Sequence, residues 1–293
     1  MTFLQICVLF VAAILGGTLN SVAGGGSFIT FPTLLFTGVL PINANATSTV
    51  ALWPGSVAST GAYRQELAKQ ERVRILVLSG TSLVGGVLGA ILLLRTSQTT
   101  FVRLVPYLLL LATVLFTFSG PITNRLRRRN IQQRAEPLNQ EWRQKRPVEQ
   151  EIETTTDSTF SHTAVETNKT TGTSWFGLAG IAFLQLIIAI YGGYFGGGIG
   201  ILMLATLGFM GIENIHEMNA LKTLLTSFIN GVAVITFIIA GAVVWLPAIV
   251  MVVGAIIGGY GGAYFARQIE PRWVRYFVIL VGVGLTIYFF LRG

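Results

Sequence analysis

Charge is scarce in this sequence: only 11% of its 293 residues are Asp, Glu, Lys or Arg, against about a quarter in a soluble domain. A soluble protein needs a polar surface however large its core, so the deficit excludes an ordinary soluble fold. Cysteine is nearly absent. Cys7 lies inside the first apolar run, which excludes an internal disulfide or a thiolate metal cluster and leaves the reading of a small buried apolar side chain. Histidine occurs twice, as His162 and His216, both outside the apolar runs. Neither an HExxH zinc motif nor a nucleophile-and-base pair can be assembled from them. The phosphate-binding pattern GxxxxGK[ST] is missing, so no ATP motor is expected. The run GYFGGGIG at 193–200 is glycine-rich, but no strand precedes it and no acidic residue follows at dinucleotide-binding distance. The chain is therefore expected to be no enzyme and to need no cofactor or metal. A further absence concerns sign: no Asp or Glu falls within an apolar run, and Glu213 and Glu217 sit in the polar connection before Asn219. A cation path or carboxylate proton relay would normally need one. The substrate is expected to be anionic or neutral.

What the sequence does contain is apolar length. Hydrophobic residues make up 52% of it, and the mean hydropathy is +0.68. Apolar runs lie at 3–19, 28–40, 47–63, 73–94 and 101–119, then at 175–190, 199–210, 220–240, 243–265 and 273–291. A membrane-spanning helix needs about 20 such residues; most runs reach that, and the second run of each half does not. The first run lacks a basic leader and reads as a retained membrane helix. The net charge of +8 would suggest nucleic acid if it were spread over a soluble surface. Instead, eight of the 20 basic residues lie between Arg125 and Arg146, the pattern of a topology signal. The expected surroundings are a lipid bilayer, with no nucleic-acid partner.

Two halves are legible. Gly24–Gly26 align with Gly196–Gly198, Asn45-Ala46 with Asn219-Ala220, Thr49 with Thr223, Gly85-Gly86 with Gly258-Gly259, Gly89-Ala90 with Gly262-Ala263, Arg95 with Arg267 and Arg103 with Arg275. Ordered matches over a whole half indicate a duplication. The expected fold is an all-α polytopic membrane protein of two homologous halves, each with four or five crossings and a glycine-broken or short helix at the repeat interface. The domains are 1–123, a linker at 124–174 and 175–293. The linker is too polar to bury much surface and reads as disordered; its basic start places it in the cytoplasm, in a multi-pass protein of the plasma membrane. Five crossings per half would make the halves inverted, and four would make them parallel.

The candidate site follows from the breaks. Three successive glycines weaken a helix by about 1 kcal/mol each, and broken backbone in a membrane is tolerated only inside protein or along a cavity. A helix starting after Gly24, Gly25, Gly26 and Ser27, or after Gly196, Gly197 and Gly198, would turn free N–H groups toward an anion. Paired, interrupted segments mark transporter sites; close helix packing is the competing account, and it is preferred for Gly85, Gly89, Gly258 and Gly262. Asn20, Thr47, Ser48, Asn219 and Thr223 could donate to an oxyanion or serve only as caps and interhelical bonds. Lys222 lies a few residues inside an apolar run, where charge is costly and usually functional; snorkelling to the interface is its alternative.

The segment Asn20-Ser21 followed by Gly24-Gly25-Gly26-Ser27-Phe28, then Pro32 and Ala46-Thr47-Ser48, with a duplicated second half and a basic central loop, resembles the sulfite exporter TauE/SafE family of membrane permeases. The second half departs from it in having Asn219-Ala220-Leu221-Lys222 where a more hydroxyl-rich segment is usual. The resemblance implies a prokaryotic plasma-membrane permease for sulfite, sulfonates or related organic anions, coupled to an ion gradient. A passive anion channel or a membrane scaffold is the alternative. Oligomeric state is open.

Overall fold

The computed structural model describes residues 1–22, 24–114, 117, 175–209, 212, 215–265 and 271–292; the linker at 124–174 lies outside them. Among the described residues every regular element is helical. In chain order these are α1 (Phe3–Val22), α2 (Ser27–Phe36), α3 (Pro41–Ala62), α4 (Arg64–Ala68), α5 (Arg72–Arg95) and α6 (Gln98–Val114). They continue with α7 (Trp175–Tyr194), α8 (Ile199–Phe209), α9 (Ile215–Ile239), α10 (Trp245–Phe265) and α11 (Pro271–Arg292). Three stretches, Phe3–Asn20, Arg72–Arg95 and Glu217–Ile239, are long and apolar enough to cross a membrane.

α3 is not one of the three, although it has 22 residues. Its sequence, PINANATSTVALWPGSVASTGA, is diluted by amides, hydroxyls and glycine. Such a helix belongs inside protein rather than against lipid, and Ala44, Asn45, Ala46, Thr47, Ser48 and Ala51 are all buried. Outward faces are the reverse: Phe3, Leu76, Ile239, Tyr260 and Leu291 are exposed, as lipid-facing residues should be. Cys7 is exposed as well. The burial expected for it from the sequence is corrected here; α1 is apolar on all sides, so its pattern does not reveal which face turns inward.

Helix directions can be read from specific contacts. Asn43 Nδ2, near the start of α3, donates to Ala242 O just past α9, at 2.8 Å. Trp53 Nε1, midway along α3, donates to Ser227 O at 3.1 Å, and beyond α4 Gln70 Nε2 donates to Glu217 Oε2 at 2.9 Å. α3 and α9 therefore run antiparallel. α1 and α10 run parallel, with Gly254 beside Phe10 and Gly258 beside Ile14, and Thr18 Oγ1 donating to Gly258 O at 3.0 Å. α5 and α7 also run parallel: Gln185 Nε2 donates to Ser82 Oγ at 2.7 Å, Gly85 abuts Ala189, and Gly89 abuts Ile190 and Tyr194. At Gly85, Gly89 and Gly258 a Cβ would meet backbone of the facing helix, so small residues let these helices approach closely. Gly262 lies outside the residues whose surroundings are described.

Candidate functional site

Each glycine break ends one helix and starts a short one inside the protein. Gly24 takes φ +76, Gly196 φ +74 and Gly198 φ +73, the left-handed region that costs an L-residue about 1–2 kcal/mol. Gly24 N–H still donates back to Leu19 O and Asn20 O, closing α1. Gly25 O then accepts from Phe28 N–H, and Gly26 O accepts from Ile29 and Thr30, opening α2. In the second break Phe195 N–H closes on Tyr191 O, and Gly198 O accepts from Leu202 N–H. The first N–H groups of a helix have no partner within it; here those of Phe28, Ile29, Thr30 and Ile199 are taken up by carbonyls of the breaks themselves, so what α2 and α8 turn toward the breaks is the positive end of a helix dipole.

The two breaks meet. A carbon added at Gly24 would lie 3.4 Å from Gly200 Cα, and one added at Gly200 would lie 3.5 Å from Gly24 Cα and 3.5 Å from Lys222 Cδ. A Cβ at Gly200 makes only ordinary contacts, and a side chain extending beyond it would fill this junction. Lys222 is 7% exposed and is the only charged side chain among the buried described residues. No hydrogen bond or ion pair to it occurs among the described residues. Its stem runs past the contact between the breaks, with Cδ 3.5 Å from a carbon added at Gly200.

The other residues expected at a site divide. Gly25, Gly26, Gly197 and Gly198 are buried, and Ser27, at the start of α2, is half-buried. Gly26 packs so closely on Gly16 O that a Cβ would collide with it, and Gly197 lies under the Phe195 ring. Several polar side chains are engaged by the protein itself. Thr47 Oγ1 accepts from Val244 N–H at 3.1 Å, capping the start of α10. Ser48 Oγ and Thr30 Oγ1 share a bond of 2.6 Å. Asn20 Nδ2 donates to Ser56 Oγ at 3.1 Å. Thr223 Oγ1 donates back to Asn219 O and Ala220 O, each at 3.0 Å. Asn219 is half-buried, one turn before Thr223 on α9. Lys222 and Gly24 come together at the junction, whereas Thr47 is committed to the α10 start.

Some contributors lie outside the expected site residues. Gly200 forms the second wall of the junction. Asn45 Nδ2 donates to Tyr194 O at 3.0 Å, so α3 holds the end of α7. Tyr191 Oη donates to Gly197 O at 2.7 Å and ties the second break to α7. The Trp53 ring lies over Gly231, 3.2 Å from where a Cβ would be. Phe31, edge-on to both Phe101 and Phe195, packs α2 against α6 and the second break.

Comparison with known proteins gives a consistent picture. The model of the sulfite exporter TauE/SafE family matches residues 9–289. A probable membrane transporter protein, ORF9, from Sinorhizobium sp is 24% identical over 293 residues, covering 98% of this chain and 93% of that protein. The probable membrane transporter protein YfcA of Escherichia coli K12 is 24% identical over 281 residues, covering 95% and 87%. A probable membrane transporter protein of Haemophilus influenzae is 22% identical over 282 residues, covering 96% and 92%. No solved structure matches.

Proposed function

This chain belongs to the sulfite exporter TauE/SafE family, and from that premise we propose that it is a secondary transporter that binds a small oxyanion where its two glycine breaks meet. That it is a membrane transporter follows from the family and from relatives named as such. The proposal adds the substrate class, sulfite or a sulfonate, and coupling to an ion gradient. One observation carries it: Lys222, the only charged side chain among the buried described residues, lies against Gly200 at the contact with Gly24. The first turn of α8 and the stem of a lysine meet there beside the break that precedes α2, and an ammonium and helix N-termini all favour an anion. Ser27 and Asn219 remain as candidate donors, whereas Asn20, Ser48 and Thr223 are engaged within the protein.

Two inverted halves form part of the same reading. α3 and α9 hold matching sequence positions and run antiparallel. Exchanging α1 with α7 and α10 with α5 turns the parallel α1–α10 pair into the parallel α5–α7 pair. Inverted repeats with broken helices at their interface suit alternating access. The plasma membrane and a cytoplasmic 124–174 linker complete the proposal, the latter on its basic start.

The test is uptake by proteoliposomes. Under an imposed proton gradient, the protein should accumulate labelled sulfite or a sulfonate above the external concentration. Flux that only runs downhill would replace the transporter with a passive channel, and no flux for any small anion would leave a scaffold.

A further inference from the structure

We infer that Asn43 and Glu217 are the two gate residues of transport, one at each end of the α3–α9 crossing, with Trp53 and Ser227 as the fixed point between them. This deepens the transport reading above and rests on it, including its inverted halves. Counted from Asn45-Ala46 and Asn219-Ala220, three pairs hold the same position: Asn43 and Glu217, Trp53 and Ser227, and Ala68 and Ala242. In a two-fold arrangement a residue that meets its own counterpart lies on the axis, and every other contact has a twin. Trp53 Nε1 donates to Ser227 O at 3.1 Å, so this tryptophan is bonded to its own counterpart. At one end of the crossing Asn43 Nδ2 donates to Ala242 O at 2.8 Å. At the other end Glu217 Oε2 accepts from Gln70 Nε2 at 2.9 Å, two residues past Ala68. Each tie joins the start of one long helix to the chain just beyond the end of the other.

The two ties are equivalent in place and different in chemistry. An amide reaches a backbone carbonyl in one, and a carboxylate accepts from a side-chain amide in the other. The Asn43 end has a second bond, from Val244 N–H to Thr47 Oγ1 at 3.1 Å; Leu221, the counterpart of Thr47, carries no group that could make its twin. Between the Glu217 tie and the midpoint, Thr60 Oγ1 and Ser227 Oγ share a bond of 2.9 Å. Lys222, at the junction of the breaks, lies five residues after Glu217 and five before Ser227. The proposed ligand therefore sits between the ties, as alternating access around a fixed site requires. Losing one hydrogen bond shifts a balanced equilibrium by about two- to tenfold. That is enough to bias which end opens and too little to unfold packed helices.

Thiol labelling of the purified protein in detergent tests this, with Cys7, the only cysteine, replaced by alanine. Val50→Cys places a reporter between Asn43 and Trp53, and Thr60→Cys places one between Trp53 and Gln70. Helical spacing puts Asn43, Val50, Trp53 and Thr60 on one face of α3; Val50 is buried and Thr60 half-buried. Asn43→Leu should raise the rate at which a hydrophilic maleimide labels the Val50→Cys reporter by about two- to tenfold, and leave the Thr60→Cys reporter unchanged. Gln70→Met should do the reverse. Gln70→Lys, which can still donate to Glu217, should label as the parent does. Equal rises at both reporters would mean general loosening and overturn the inference. So would no rise at either, or a Gln70→Lys variant that labels like Gln70→Met. If one tie variant does not fold, the other decides through its two reporters. Sulfite uptake by the wild-type protein in proteoliposomes separates the two readings. Accumulation together with a failed labelling pattern strikes the gates alone. Absence of flux for every small anion counts against transport itself, and the gates fall with it.

Discussion

Behind the first glycine break, Ser48 and Thr30 share a hydrogen bond of 2.6 Å. Behind the second, Lys222 lies beside Gly200 with no partner among the described residues. Counted from Asn45-Ala46 and Asn219-Ala220, Ser48 and Lys222 hold the same position. One break is closed by a pair of hydroxyls that satisfy each other, and the other is flanked by a buried lysine. A buried polar group in a finished structure is normally paired. Under the function proposed above, the ligand belongs on the Lys222 side, and the first break supplies the wall opposite, through Gly24.

Substitutions can break or sharpen this contrast. The largest effect is expected at Gly200. Gly200→Leu should abolish uptake by filling the junction, whereas Gly200→Ala should remain active, because a Cβ there makes only ordinary contacts at 3.5 Å; both are read by proteoliposome uptake. Next, Lys222→Gln should lower methanesulfonate uptake at least about tenfold, while Ser48→Ala should cost about 1 kcal/mol of stability and leave uptake within about twofold. Comparable losses of uptake in the two variants would erase the distinction between the breaks. Gly24→Ala should destabilise the protein by about 1–2 kcal/mol through its left-handed backbone, seen as a lower unfolding temperature in detergent. Thr223→Val should be the mildest, within about 0.5 kcal/mol and with normal uptake, since its hydroxyl bonds only its own helix. A strong uptake defect there would move the ligand further along α9.

Much of this was legible in the sequence, for physical reasons. Three glycines in a row interrupt a helix in any context, so both breaks and the short α2 and α8 beyond them could be read directly. A lysine within an apolar run is conspicuous for the same reason. What stayed hidden is contact across long sequence separations. That Gly200 faces Gly24, that Asn45 holds Tyr194 and that Trp53 sits on Gly231 depends on how α3 crosses α9, which no local pattern encodes. The roles of Thr47 and Ser48 were ambiguous because a hydroxyl suits a ligand and a helix cap equally; the Val244 and Thr30 contacts show what each does in the folded chain. The short α4 was missed, since Arg64–Ala68 carries polar residues and reads as a loop. The outward face of Cys7 was missed because α1 is apolar all round.

The central claim is that an anion binds at the junction of the two breaks through Lys222. Thermal unfolding of the purified protein in detergent, with and without methanesulfonate, tests it most directly, because a ligand that binds only the folded state stabilises it by about 2.7 kcal/mol at a hundredfold excess over Kd. The account predicts a rise in unfolding temperature that saturates with methanesulfonate in the wild-type protein and is absent in Lys222→Gln. An equal rise in both proteins would contradict it.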